Sequence, residues 1–334
     1  MKQEIRFCTT ADGVRIAYAT SGVGTPIVRP GHWLTHLEYD LNSPVWGHLI
    51  QGLSEQHQFV RYDPRGTGLS ERMVEEVGPE QWLKDLEAVV ENLQLERFAL
   101  LGISQGGATA IQYTVAHPER VSHLILYGSY ARGRLHRGGG EGSSRPETLA
   151  AMCTLILDGW GGRNESYREL FSSMYVPSGN RENIQFINEL EKVSATPEMA
   201  AIYWRAIADV DVSALLPQVR VPTIVLHCRG DQAVPYGLGQ ELAARIAGAK
   251  FVPMEGDNHL FLEHEPARNI FFEEVPRFLS DKPRLVSTSA LKRHARGFRA
   301  ATHDLHHIIE PYYMVVAVAS AVVAAVTFVL SRFT

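Results

Sequence analysis

Gly102-Ile103-Ser104-Gln105-Gly106 follows directly on Arg97-Phe98-Ala99-Leu100-Leu101, and residues 105–117 continue with helical spacing. The pentapeptide therefore reads as a turn between a buried strand and a helix. Glycines two before and two after Ser104 let strand and helix approach closely enough to hold the serine in a sharp, strained elbow. That placement matters because a serine hydroxyl is a weak nucleophile until the fold exposes it and a base takes its proton. As a bare string the motif is common; the strand before it and the helix after it make it specific.

Around the elbow the chain alternates strands and helices. Residues 4–9 and 14–20 are short alternating runs on either side of Ala11-Asp12-Gly13, a hairpin signal. Compact apolar runs at 27–29, 59–62, 98–103, 123–127, 223–227 and 250–253 have the form of buried parallel strands. Helical periodicity appears at 238–246 and at 81–93, where Trp82, Leu83, Leu86, Val89, Val90 and Leu93 share one side. An antiparallel start followed by βα repeats predicts an α/β fold: one twisted, mostly parallel sheet with helices on both faces.

The alternation breaks at 130–212. Residues 132–147 (RGRLHRGGGEGSSRPE) are rich in Gly, Arg and Ser and read as mobile, and the helical stretches that follow contain no strand. The segment reads as a helical cap inserted between two parts of the core, 1–129 and 213–281, where it shapes access to the site. Met152, Trp160, Phe171, Tyr175, Phe186, Tyr203 and Trp204 are its candidates for an apolar pocket lining, with about a third of them expected to face substrate.

A chain of 334 residues with 45% apolar content can bury the core of a large α/β domain and still carry appendages. Its net charge of -5 argues against a nucleic-acid binder, and the distribution is more informative. Residues 282–334 hold seven Lys or Arg against Asp304 and Glu310, a net of +5, which leaves -10 on residues 1–281. Cys8, Cys153 and Cys228 have no C-x-x-C spacing, so they read as packed thiols in a reducing compartment. His303, His306 and His307 lie at i, i+3 and i+4 with no carboxylate or cysteine to complete a metal set. Neither a metal nor a cofactor is expected.

Residues 1–10 are polar and lack the apolar core of a secretory signal. Residues 312–330 (YYMVVAVASAVVAAVTFVL) run without a charge and are long enough for a membrane-spanning helix. Lys292, Arg293, Arg296 and Arg299, in the juxtamembrane segment 282–311, suit anionic headgroups and put the catalytic part in the cytoplasm, anchored by its C-terminus. Ala317, Ala321 and Ala325 form a small-residue ridge at which two spans can pair as a homodimer.

A nucleophile at Ser104 needs a base and an acid at neighbouring strand ends. Asp231 follows the strand at 223–227, and His259 follows the strand at 250–253, both where sites collect in open α/β sheets. Asp257 is a rival acid, with loop shaping as its expected role.

With these residues in place the chain resembles the α/β-hydrolase fold family over residues 1–281. The order Ser104, Asp231, His259 is that family's triad order, and Asp63-Pro64-Arg65-Gly66-Thr67-Gly68-Leu69-Ser70 matches its D-x-R-G-x-G-x-S loop, a structural element. Trp33-Leu34-Thr35-His36-Leu37-Glu38-Tyr39-Asp40 with Ser43-Pro44-Val45-Trp46 is similar to a bacterial subgroup whose hydrolase domains are joined to adenylate cyclases or transcriptional regulators. The family's His-Gly after the third strand is replaced by Pro30-Gly31-His32-Trp33. Aligning the glycine makes the His32 N–H one oxyanion donor, with Trp33 as the alternative, and the Gln105 N–H the other.

The resemblance implies a serine hydrolase that cleaves an ester-like carbonyl of a small, lipophilic substrate through an acyl-enzyme, as a carboxylesterase, lipase or lactonase does. Serine at the elbow argues against the dehalogenase and epoxide hydrolase members, which need a carboxylate nucleophile. Two alternatives remain beside it: a membrane-tethered ligand sensor with slow turnover, and a cofactor-free perhydrolase or lyase.

Overall fold

The computed structural model describes residues 2–280 apart from 141, 163 and 164. The strands β1 (Gln3–Thr9) and β2 (Arg15–Ser21) pair antiparallel across the turn at Gly13, and the partly exposed β1 forms one sheet edge. Next come β3 (Thr25–Arg29), α1 (Leu37–Asp40), α2 (Gly47–Ser54), β4 (His57–Tyr62), α3 (Pro79–Asn92), β5 (Phe98–Ile103), α4 (Gly106–Ala116) and β6 (Val121–Tyr127). Helices α5 (Pro146–Gly159), α6 (Glu165–Tyr175), α7 (Arg181–Ser194) and α8 (Pro197–Ala208) separate β6 from β7 (Thr223–Cys228), before α9 (Tyr236–Arg245), β8 (Lys250–Met254) and α10 (Pro266–Ser280).

The eight strands form one sheet in the order β1-β2-β4-β3-β5-β6-β7-β8, and the six from β3 to β8 run parallel. Every residue of β5 and β7 is buried, which explains their unbroken apolar runs: helices cover both faces of a parallel sheet. In α3, Pro79 starts the first turn, where its missing N–H costs nothing, and Trp82, Leu86, Val89 and Val90 bury one face. β6 and β7 pair directly despite the helices between them, and all six parallel strands end on one edge of the sheet.

The loop after β4 joins three parts of the fold. Arg65 Nε meets Asp85 Oδ1 of α3 at 2.8 Å and Arg65 Nη1 meets Asp12 Oδ2 of the hairpin turn at 2.9 Å. Gly68 N–H donates to Ser194 O at 2.7 Å and Tyr203 Oη donates to Arg65 O at 2.6 Å, so the same loop holds the end of α7 and the middle of α8. The D-x-R-G-x-G-x-S stretch is thus a bracket between sheet and helical segment.

The stretch after β6 is more ordered than its composition predicts. Gly133 N–H donates to Val210 O at 2.6 Å, Arg132 bridges to Asp211, and Arg137 donates from Nε to Arg132 O at 3.1 Å. Backbone carbonyls and guanidinium groups supply the order that apolar side chains would supply elsewhere. Among the described residues no helix is long and apolar enough to cross a membrane; residues 282–311 and the span 312–330 lie outside the described residues.

At the elbow, a methyl on Gly102 would stand 2.6 Å from Gly107 Cα and 3.1 Å from Ala110 Cβ. Gly102→Ala is expected to cost about 1–3 kcal/mol by overpacking β5 against α4. Gly237→Ala, in a helical position with no neighbour within 4 Å of the added carbon, should be neutral or stabilise by up to about 1 kcal/mol. Denaturant midpoints check the pair, and equal shifts for both would show that the close approach does not matter.

Candidate active site

Ser104 is the residue at which β5 turns into α4. Its φ is +51°, a left-handed conformation rare for a side chain with a Cβ, and its N–H donates to Tyr127 O at 3.0 Å across to β6. The residue is half-buried and lines an open cavity shared with Trp33, Gln105, Tyr130, Tyr175 and Trp204. A larger cavity lies against α2 and α10, lined by His48, Glu263 and Arg268, and contains none of the candidate residues.

Asp231 and His259 meet directly. His259 Nδ1 lies 2.7 Å from Asp231 Oδ2, and both side chains are about 1% exposed. A carboxylate accepts only, so Nδ1 carries the proton and the lone pair falls on Nε2. Nε2 is itself buried and makes no hydrogen bond. Asp231 is held as an anion: burial opposes its ionisation, but His259 and then His227 outweigh that and bring it down to about 2. Ala233 and Val234 N–H groups donate to Asp231 Oδ1 at 2.9 and 2.8 Å, which fixes the carboxylate plane. His227 adds a second imidazole, with Nε2 donating to Val234 O at 2.8 Å and 3.5 Å from Asp231 Oδ2. Asp257 is exposed and lies against Gly230, so geometry pairs the histidine with Asp231.

The loop bearing His259 is tied down by residues that carry no motif. Tyr127 Oη donates to His259 O at 2.6 Å and accepts from Phe261 N–H at 3.2 Å. His259 N–H donates to Tyr175 O at 3.0 Å, and Asn258 Oδ1 accepts from Ser178 N–H at 2.9 Å, so the chain at and just after α6 also holds the loop. Gly128, the residue after Tyr127, has φ of +52°, and a methyl there would stand 3.1 Å from His259 Cε1. A glycine alone fits between β6 and the imidazole. None of these had a sequence signal beyond a buried aromatic and a glycine at a strand end.

The oxyanion candidates separate. Gln105 N–H lies at the start of α4, where backbone N–H groups favour negative charge. Trp33 N–H already donates to Gln105 Oε1 at 3.3 Å, so the side chain of one candidate caps the backbone of the other. His32 turns its ring into the core, 5.1 Å from Trp46; burial, then Arg29 and His259, hold its pKa well below the ordinary value and keep it neutral. Of the aromatic candidates for the lining, Tyr175 and Trp204 face the cavity. Trp160 and Phe171 pack behind Trp33, Phe186 stacks on Tyr39, and Tyr203 is bonded to Arg65 O.

The strained Ser104 and the buried Asp231–His259 pair follow parallel strands that end on one edge of the sheet. The chain belongs to the alpha/beta hydrolase family, whose sequence pattern it matches over residues 27–273. It is 29% identical over 259 residues to the AB hydrolase superfamily protein YisY of Bacillus subtilis, covering 76% of this chain and 91% of that one. It is 26% identical over 264 residues to the pimeloyl-[acyl-carrier protein] methyl ester esterase of Aliivibrio salmonicida, covering 78% and 95%. The esterase structure from Exiguobacterium antarcticum shares the fold, with a TM-score of 0.71 at 24% identity over 82% of this chain and 99% of that one.

Tyr127→Phe removes the hydroxyl that serves both His259 O and Phe261 N–H. It is expected to cost about 1–3 kcal/mol in a denaturant titration, because two buried backbone groups lose their partner. A change below about 0.5 kcal/mol would mean that the hydroxyl does not carry the loop.

Proposed function

We propose that Ser104, His259 and Asp231 form a catalytic triad that hydrolyses an ester-like carbonyl. The observation that carries the reading is the buried His259–Asp231 pair at 2.7 Å, with Nε2 unbonded and the imidazole 5.9 Å from the ring of Tyr175, which lines the same cavity as Ser104. Ser104 Oγ attacks the carbonyl carbon as His259 Nε2 takes its proton, giving an oxyanion that accepts from the Gln105 N–H and one of His32 and Trp33. The C–O bond to the alcohol then breaks, and His259 returns the proton to the leaving oxygen. Water attacks the acyl-enzyme by the same route in reverse and releases the acid. Asp231 holds the Nδ1–H tautomer and stabilises the imidazolium that forms. The absent bond between Ser104 and His259 fits a free enzyme, since such bonds tighten when substrate binds. For the Trp33 N–H to serve, the Gln105 side chain must first leave it.

The reading extends to location: residues 1–281 work in the cytoplasm, residues 282–311 lie against anionic headgroups, and residues 312–330 form the anchor. The support is the charge-free run and the +5 tail read from the sequence.

A fluorophosphonate probe should label the wild-type chain and not Ser104→Ala, with p-nitrophenyl ester turnover lost in the same variant. Asp231→Asn should keep the loop geometry and lower kcat by about 10⁴-fold, because the wrong imidazole tautomer is presented. Labelling without turnover would favour a slow ligand sensor over an enzyme. A chain ending at residue 281 should stay in the soluble fraction and keep its label while the full chain sediments with membranes. Sedimentation of both would remove the anchor.

A further inference from the structure

The cavity at Ser104 carries two cations that meet no carboxylate within ion-pair distance among the described residues. Arg134 opens the short 3₁₀ turn Arg134–His136 and Arg137 follows it, and both line the cavity beside Ser104 and Gln105. The Arg134 guanidinium stands 5.4 Å over the Trp204 ring and donates from Nη2 to Ala233 O at 3.2 Å. Arg137 stands 5.2 Å over the Tyr130 ring and donates from Nε to Arg132 O at 3.1 Å and from Nη1 to Gly142 O at 2.8 Å. These partners are ring faces and neutral carbonyls, which orient a guanidinium without neutralising it.

Among the described residues no carboxylate lies within ion-pair distance of either group, whereas Arg132, two residues earlier, meets Glu241 Oε2 at 2.9 Å. Arg134 Nη1 and Arg137 Nη2 have no hydrogen-bond partner among the described residues. Arg137 is 7% exposed; burial, with Arg134 and Arg132, outweighs the opposing effects of Tyr130 and the more distant Asp231 and brings its pKa down to about 10, so it stays charged at neutral pH at a cost in stability. A buried unpaired cation at a cavity wall is what a site holds ready for an anion, because the ligand supplies the missing charge and a carboxylate matches the planar fork.

We propose that Arg134 and Arg137 bind a carboxylate of the substrate, which makes the preferred substrates monoesters of short dicarboxylic acids. Their hydrocarbon part lies along Trp33, Tyr175 and Trp204, which explains why a largely aromatic cavity also carries two cations. The assignment rests on the reading of Ser104 as nucleophile, and the bonds made and broken are those already described.

The test compares mono-p-nitrophenyl glutarate with neutral p-nitrophenyl valerate. The wild type should show a kcat/KM at least tenfold higher for the anionic ester, and the ratio should fall at least tenfold in the Arg134→Gln, Arg137→Gln double variant. Arg137→Lys should restore part of it. Arg134 is only half-buried, so Arg134→Gln alone carries the test if the double variant does not fold. A structural role would lower both esters together and leave the ratio unchanged, and that result, or a wild-type preference for the neutral ester, overturns the proposal. Inhibition by inorganic phosphate but not by glutarate overturns the carboxylate assignment. If neither ester is turned over, calorimetry of monomethyl glutarate with the Ser104→Ala chain decides separately. Binding lost on Arg134→Gln keeps the subsite while the catalytic reading falls; no binding removes the subsite.

Discussion

Ser104 holds a left-handed backbone, and the site depends on that constraint. Such a conformation costs on the order of 1–3 kcal/mol for a residue with a Cβ and survives only where the surroundings over-determine it. Here they do: Gly102 and Gly107 bring β5 and α4 together, and the Ser104 N–H is bonded to Tyr127 O on β6. The strain is held between β5, every residue of which is buried, and β6, buried except at Ser122. Tyr127 then serves twice, its carbonyl fixing the serine and its hydroxyl fixing the histidine loop.

Charge is buried close to this site and is managed in two ways. Under the loop after β3, Arg29 and Arg61 are almost fully buried with Asp40, at 3.9 and 4.0 Å, and Thr35 donates to Asp40 Oδ2 at 2.9 Å. These ion pairs tie α1 to β3 and β4 without hydrogen bonds: none of the three Arg29 guanidinium nitrogens makes one among the described residues, and the group rests 4.8 Å over the Trp46 ring. Beside the cavity Asp231 is paired with His259, and Arg134 and Arg137 rest on rings and carbonyls.

The helical segment between β6 and β7 is part of the site's support as well as its cover. Tyr175 O accepts from His259 N–H, Ser178 N–H binds Asn258, and Trp204 with Tyr175 faces the cavity. Movement of α6 therefore reaches both the cavity wall and the base. Trp33, stacked 5.0 Å from Trp160 and bonded through its N–H to Gln105 Oε1, links the same segment to the oxyanion region.

The sequence by itself determined the elements, and marked the candidate residues, whose signals are local. Six strands were legible as bounded apolar runs because a parallel sheet buries both faces, the first two as alternating runs around a turn, and Ser104, Asp231 and His259 were picked out as candidates because each follows an apolar run. Tyr127 and Gly128 were not legible, and Tyr175 was legible as a lining candidate but not as a holder of the His259 loop, since a buried tyrosine or glycine looks the same whether it packs or positions. What each does depends on a partner brought next to it by strand pairing across 100 residues or more, or by the docking of the helical segment. The same holds for the Arg-rich stretch after β6, which composition marks as mobile and which carbonyls from distant turns hold in place. Local pattern decides which way a side chain faces; only the assembled sheet decides what it meets there.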